Sequence, residues 1–338
     1  MKKTILLSAI LLTAITLFGQ GNYFDTSFYS PALDKEKMVR VYLPPGYDET
    51  HELFYPVIYY LHGTGGNHTT VSHIFEAVDS LIGAEIIKPV IIVSADNSPG
   101  PYGDSQFVNS IIWGNYEDFM TADLITWADS SFRTIASRDA RTLMGQSMGA
   151  MGAFRYGILH KDKYRALAAH AGCVDFFDPD WFERVLRRLH EENKPGPPYY
   201  YDYEKSGIMT SLFLKWSAAY SPNINSPQEH INPRIGEFPF DENGMPIDSI
   251  IKKWRKYNIA DLVEQLSPSD SVGIFFGCGS QDYVRVYQMN LRLKTKLENL
   301  GLPYEFFDHD EDHSMPEGFL EQGLIFLDSL MLKPMEIQ

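Results

Sequence analysis

An α/β fold is predicted for this 338-residue chain: a mostly parallel central sheet flanked by helices, with a helical and irregular cap insertion. Three features carry the prediction. Short apolar runs bounded by turn residues alternate with longer segments at helical spacing, the pattern of strands and crossover helices covering both faces of a sheet. That rhythm breaks between about residues 174 and 257, where Pro, Trp and Tyr accumulate, and resumes afterwards. Midway, an apolar strand runs into Gly145-Gln-Ser-Met-Gly149 and continues as a helix of small residues.

Taken in order, residues 1–20 read as a leader outside the fold. Lys2 and Lys3 precede a largely apolar run, 5–18, and a small or polar exit, Gly19-Gln-Gly-Asn22. This is the pattern of a secretory signal peptide, and the run is shorter than the roughly 20 residues a spanning helix needs. The mature chain, 21–338, is expected to be a single domain, secreted or periplasmic. Residues 23–30 and 38–43 read as strands joined by a polar turn. A buried strand, 55–61, empties into His62-Gly-Thr-Gly-Gly-Asn67, and a helix fits 69–82. Residues 89–95 form another strand, followed by a long Gly-, Pro-, Asn- and Ser-rich loop, 96–115, of a length that is uncommon unless functional. A helix follows over 116–132. Strand 141–145, helix 148–159 and strand 166–172 lead into the insertion, where short helices fit 181–192, 205–219 and 249–255. Strand 272–277, helix 284–300, strand 303–307 and helix 316–330 close the chain. Ser314-Met-Pro-Glu317 has the form of a capping box for that last helix.

The composition excludes some classes of partner. A formal net charge of −15 repels phosphate backbones and anionic lipid surfaces, so neither nucleic acid nor, beyond the leader, a membrane is expected. The two cysteines, Cys173 and Cys278, read as buried small hydrophobes, with a disulfide between them as the alternative.

In a parallel α/β sheet, ligands bind beyond the carboxyl ends of the strands. Three predicted strands deliver chemistry to that edge. Ser147 follows 141–145 on a nucleophile-elbow pattern, whose serine needs small residues two places before and after it. Asp282 follows 272–277, with Asp175 and Asp178 as competitors after the preceding strand. His313 or His309 follows 303–307, with His313 favoured because it sits at the entry to the last helix. Such a set has a chemical logic. A serine hydroxyl is almost un-ionised at neutral pH and needs a base as it attacks. Histidine takes that proton and returns it to the leaving group, while a carboxylate orients the ring and stabilises the imidazolium. Donors for the developing oxyanion are expected from the backbone N–H of Met148 and from the 62–66 loop, at Thr64 or next to it at Gly65. His62 is expected to be structural.

The motifs Val41-Tyr-Leu-Pro-Pro-Gly-Tyr-Asp48, Tyr60-Leu-His-Gly-Thr-Gly-Gly66, Phe107-Val-Asn-Ser110 with Tyr116-Glu-Asp-Phe119, and Gly145-Gln-Ser-Met-Gly149, completed by 277–282 and His313-Ser314, are together specific. On them the chain resembles the esterase branch of the α/β hydrolases, which includes feruloyl and acetylxylan esterases, enterochelin-type esterases and S-formylglutathione hydrolases. The resemblance implies the α/β-hydrolase fold, with Ser147, Asp282 and His313 as catalytic set and the Thr64 and Met148 amides as oxyanion hole. Many relatives carry a glycine where this chain has Asp312. The expected activity is a serine esterase working through an acyl-enzyme, with no metal or organic cofactor. Its expected substrate is a small-molecule or polysaccharide-linked ester, either an acylated carbohydrate or an aromatic acyl ester. Candidate substrate contacts are Gly65, Asn109, Trp113, Trp181 and Trp216. The alternatives are a siderophore-type ester or acyl transfer by the same triad, and an inactive esterase-like binding module. The aromatic residues of the insertion, Trp181, Tyr199, Tyr200, Tyr201, Tyr203, Trp216 and Trp254, read either as substrate platforms or as the insertion's own small core.

Overall fold

The computed structural model describes residues 19–49, 51–100 and 103–336. The leader therefore lies outside the described residues, except for Gly19 and Gln20. No helix among the described residues is long and apolar enough to cross a membrane.

Eight strands form one sheet: β1 (Asn22–Ser30), β2 (Lys35–Leu43), β3 (Val57–Leu61), β4 (Ile91–Ala95), β5 (Arg141–Gln146), β6 (Ala166–His170), β7 (Gly273–Gly279) and β8 (Glu305–His309). Their order across the sheet is β1-β2-β4-β3-β5-β6-β7-β8. The first two strands make an antiparallel hairpin, and β2 pairs antiparallel with β4. All other neighbours are parallel. This is the α/β-hydrolase arrangement.

The apolar runs explain why the middle of the sheet is buried on both sides. Every residue of β3, β4 and β6 is buried. Successive side chains of a strand point to opposite faces. Val57, Tyr59 and Leu61 accordingly join the core on one face, and Ile58 and Tyr60 join a second core on the other. Helix α1 (Phe75–Gly83) and the last helix, α8 (Glu317–Leu330), cover that second face. Helix α1 is preceded by a 3-10 stretch, His68–Ile74, where the sequence pattern predicts α-helix throughout. Helix α2 (Leu124–Ser131) continues a helical stretch from Tyr116 through a π turn at Phe119–Asp123.

Helix α3 (Met148–Leu159) lies behind β5 and is buried nearly all round, as its small and apolar residues allow. Three glycines set its position. A Cβ on Gly149 would fall inside the carbonyl of Leu61, and one on Gly145 would fall on the carbonyl of Gly149. On Gly152 it would press into Leu61 and Phe107 at 2.7 and 2.8 Å. The helix can approach the sheet this closely only without those side chains.

Between β6 and β7 the chain leaves the sheet and builds α4 (Pro179–Glu192), α5 (Ile208–Tyr220) and α6 (Asp248–Trp254). The entry and exit of this excursion are stitched together. Ala260 donates its N–H to Val174 O at 2.8 Å, and Asn258 Oδ1 accepts from the Phe176 N–H at 2.8 Å. Most of the aromatic residues form its own core. Trp254 and Tyr201 are fully buried, Tyr201 packs on Phe238 at 4.4 Å, and the Phe213, Trp216 and Trp254 rings meet within 6.0 Å. Tyr200 alone of the seven is exposed. Helix α7 (Tyr287–Asn299) then runs between β7 and β8.

One expectation fails. Helix α8 begins at Glu317 with Pro316 at its N-cap and no side-chain cap, so Ser314 does not close a capping box. The Ser314 N–H is held instead by the Asp312 carboxylate at 2.8 Å. Ser314 belongs to this local Asp312 contact, two residues ahead of the N-cap position, and is too early to serve as the cap.

The glycine packing yields a stability prediction. Gly149→Ala should destabilise the fold by about 1–3 kcal/mol or more, the usual cost of overpacking a filled site. Urea denaturation followed by circular dichroism would measure it, and an unchanged midpoint would contradict the close approach described above.

Candidate active site

Ser147 sits at the junction of β5 and α3 with φ 56° and ψ −117°. A non-glycine residue there carries strain of order 1–3 kcal/mol, which persists only where the surroundings enforce it. They do so here. The Ser147 N–H donates to His170 O on β6 at 2.8 Å, its carbonyl accepts from Met151 at 3.2 Å, and the glycines on either side permit the tight turn.

Asp282 lies three residues beyond β7 and is 1% exposed. Its Oδ2 receives His313 Nδ1–H at 2.6 Å, and the Cys278 thiol lies 3.6 Å from the same oxygen. Burial works to raise the Asp282 carboxyl. The hydrogen bond and positive charge offered by His313 outweigh it and hold the group below its ordinary value of 3.8. The ionised Asp282 carboxylate, held by that hydrogen bond, contributes stability above about pH 4 that is lost as pH falls through its lowered folded value. His313 is itself anchored through its backbone, since Gln146 Nε2 donates to His313 O at 2.7 Å. The residue preceding the serine thus holds the loop that carries the histidine.

The competing residues are engaged elsewhere. Asp175 accepts from Phe177 N and Asn258 Nδ2, both at 3.0 Å. Asp178 caps α4 through the Trp181 N–H and pairs with Arg292. His309 ends β8, where its Nε2 meets His170 Nε2 at 3.0 Å. The Glu311 N–H points at His309 Nδ1, so His309 donates from Nε2 and His170 accepts. Burial lowers both imidazoles, and His170 is pushed down to about 3. Of the acidic residues around the histidine, Asp308, Asp310, Glu311 and Asp312 are all exposed.

A cavity of about 50 Å³ gathers Ser147, His313, Thr64 and Met148 with Gln106, Met151, Ala171, Cys173, Trp181, Leu212, Trp216, Val284 and Val286. Among the described residues, neither the Thr64 nor the Met148 N–H donates within the chain. The Gly65 N–H, by contrast, is committed to Asp104 Oδ1 at 2.9 Å. The 62–66 loop is braced by the long loop that follows β4. His62 is fully buried, with Nδ1 on Gly63 O at 2.9 Å and Nε2 accepting from the Asn97 N–H at 3.0 Å. With Nε2 accepting, the ring is neutral, and burial favours that form. Ser98 Oγ donates to Gly66 O at 3.0 Å.

Of the candidate substrate contacts, Trp181 and Trp216 reach the cavity, and Gly65, Asn109 and Trp113 do not. The Asn109 side chain accepts from the Glu117 and Asp118 N–H groups, an anchor for the helical stretch beginning there. Trp113 is buried against the Gly103 segment. Gln106 and Leu212 were not evident from sequence. Gln106 sits at a positive φ of 54° deep in the long loop, and Leu212 lies on an insertion helix whose facing the apolar pattern does not determine. Cys173 and Cys278 are free and buried, and burial raises both thiols.

Residues 30–315 match the family described as "Putative esterase". The chain belongs to that family. Two curated relatives fit with this placement. An esterase of Mycobacterium tuberculosis (strain ATCC 25618 / H37Rv) is 30% identical over 145 residues, 43% of this chain and 31% of the relative. An endo-1,4-beta-xylanase/feruloyl esterase of Xylanibacter ruminicola is 33% identical over 141 residues, 39% of this chain and 19% of the relative. The chain therefore aligns with less than a third of either relative's length. Among solved structures, a ferulic acid esterase superposes with a TM-score of 0.64 at 19% identity, over 92% of this chain and 98% of the other. An S-formylglutathione hydrolase from Agrobacterium tumefaciens superposes at 0.61 and 19% identity, over 94% and 97%. These similarities establish the α/β-hydrolase fold for this member of the esterase family.

The geometry separates the two histidines. If His313 is the base, His313→Ala should lower ester hydrolysis by about 10⁶-fold, the scale on which loss of a triad histidine is felt. His309→Ala should stay within about tenfold of the parent, equivalent to about 1.4 kcal/mol. Steady-state rates on a nitrophenyl ester decide it, and the reverse ranking would move the base to His309.

Proposed function

We propose that the protein is an exported serine esterase that cleaves carboxylic esters through an acyl-enzyme. The observation that carries the reading is one cavity bounded by a strained serine, a histidine hydrogen-bonded to a buried carboxylate, and two uncommitted backbone N–H groups.

In the proposed reaction, the Ser147 hydroxyl oxygen attacks the ester carbonyl while His313 Nε2 takes its proton. The carbonyl π electrons move onto oxygen, and the Thr64 and Met148 N–H groups receive that charge. Collapse of the tetrahedral intermediate breaks the bond to the alcohol oxygen, which leaves with the proton from His313. Water then attacks the acyl-serine by the same route and releases the acid, regenerating Ser147. Asp282 holds Nδ1–H throughout, so that Nε2 faces the reacting atoms, and it stabilises the imidazolium in between.

For the substrate we favour an acylated carbohydrate or an aromatic acyl ester. Trp181 and Trp216 offer flat apolar faces at the cavity, with Leu212, Met151, Val284 and Val286 completing an apolar wall. The xylanase/feruloyl esterase named above has a matching activity in its own description. The leader pattern of residues 1–20 supports export, which suits a polymer-linked substrate.

The expected result is release of nitrophenol from its acetate by the parent protein and a loss of about 10⁴-fold or more in Ser147→Ala. Wild-type rates in that variant would overturn the reading. Product analysis on acetylated, feruloylated and siderophore esters would assign the acid, and turnover of the siderophore ester alone would replace the carbohydrate reading.

A further inference from the structure

We propose that Asp104 and Lys215 form a positioning pair that fixes the oxyanion turn and ties it to α5. The inference rests on the reading above, in which the Thr64 N–H receives the oxyanion.

The turn is weakly determined by its own bonds. Gly63 to Gly66 is closed by one hydrogen bond, Gly66 N–H to Gly63 O at 3.0 Å, and Gly65 has φ +74°. Glycine at that position adopts either sign of φ without steric cost, so the Thr64–Gly65 peptide can rotate between turn types. Release of that peptide would let the turn re-form about Thr64, whose N–H lies on the preceding peptide and shifts as the turn does. The Asp104 carboxylate opposes it by accepting the Gly65 N–H on Oδ1.

Asp104 is only 2% exposed, and a buried carboxylate needs a compensating charge. Lys215 supplies it, with Nζ on Oδ2 at 3.0 Å. Its stem lies near Gly103, where a side chain would come within 3.5 Å of it. The Asp104 and Lys215 side chains make no other hydrogen bond or ion pair among the described residues. Lys215 belongs to α5, the helix that also presents Leu212 and Trp216 to the cavity. One carboxylate thus joins the helix that walls the cavity to the turn that carries the oxyanion donor. A shift of α5 against the acyl group would be felt at the Thr64 amide.

The test compares Asp104→Ala, Asp104→Asn and Lys215→Met with the parent. The readouts are kcat and KM on nitrophenyl acetate, inhibition by phenylboronic acid, and the count of sites titrated by a fluorophosphonate. The boronic acid adds to the serine as a tetrahedral adduct and reports on the oxyanion donors. Removing a whole donor costs about 10²–10³ in kcat. A misaimed donor should cost about 10–100-fold in Asp104→Ala, with KM within about threefold, boronate affinity falling in parallel, and the titrated sites undiminished. Asp104→Asn, which keeps an acceptor for Gly65, should recover most of the loss, and Lys215→Met should fall between. A merely structural role would lower the titrated sites and leave the surviving ones at parental kcat and boronate affinity, overturning the proposal. Parental kcat in a folded Asp104→Ala protein would also overturn it. Should that variant not fold, parental kcat and boronate affinity in Lys215→Met do so. A parent protein that hydrolyses no ester overturns the esterase reading first, and the positioning role with it.

Discussion

The close approach of α3 to β3 is the constraint on which the rest of this site depends. Gly149 sits so near the Leu61 carbonyl that no side chain fits between them, and Gly145 stands in the same relation to Gly149. With the helix pressed onto the sheet, the residue between them has to turn through a positive φ. That strain raises the serine clear of the strand ends. It also starts α3 there, so the Met148 N–H is one of the first-turn donors a helix cannot satisfy itself. Leu61 leads directly into His62 and the 62–66 loop, so the same contact sets the distance between the serine and the other candidate donor.

Around this backbone core, polar bonds place the remaining parts with little slack. Gln146 reaches from the elbow to the His313 carbonyl, and His170 takes the serine N–H through its own carbonyl. The histidine loop and Ser147 are therefore referenced to the same two strands. His62 and Asn97 do the equivalent for the donor loop, using a neutral ring as a bridge between two backbone groups. The chemistry such a site can support is set by these supporting bonds as much as by the residues at the cavity wall.

Much of this was readable in the sequence, for a physical reason. Parallel strands buried on both faces write themselves as unbroken apolar runs, so their ends, and the residues just beyond, can be located. Ser147 and Asp282 each lie within a few residues of such an end, while His313 follows β8, an edge strand that is only partly covered. The capping role expected of Ser314 failed because the path of the chain at Asp312 is a tertiary matter. The insertion was less legible still. Its aromatic residues serve both as its own core, as with Trp254 and Tyr201, and as cavity wall, as with Trp181 and Trp216, and composition does not separate the two uses. Asn109 reads as a substrate contact in the sequence yet holds a helix start. The Asp104–Lys215 pair joins residues 111 apart with no local pattern to announce it.

The proposed function stands on one step, acylation of Ser147 during turnover. The most direct measurement is intact-mass and peptide-mapping analysis of protein quenched in acid during turnover of a slow aryl ester. The account predicts one acyl adduct per chain, located on Ser147, that decays at the rate of acid release. Turnover with no adduct trapped on any ester tested, or an adduct on another residue with Ser147 unmodified, would contradict it.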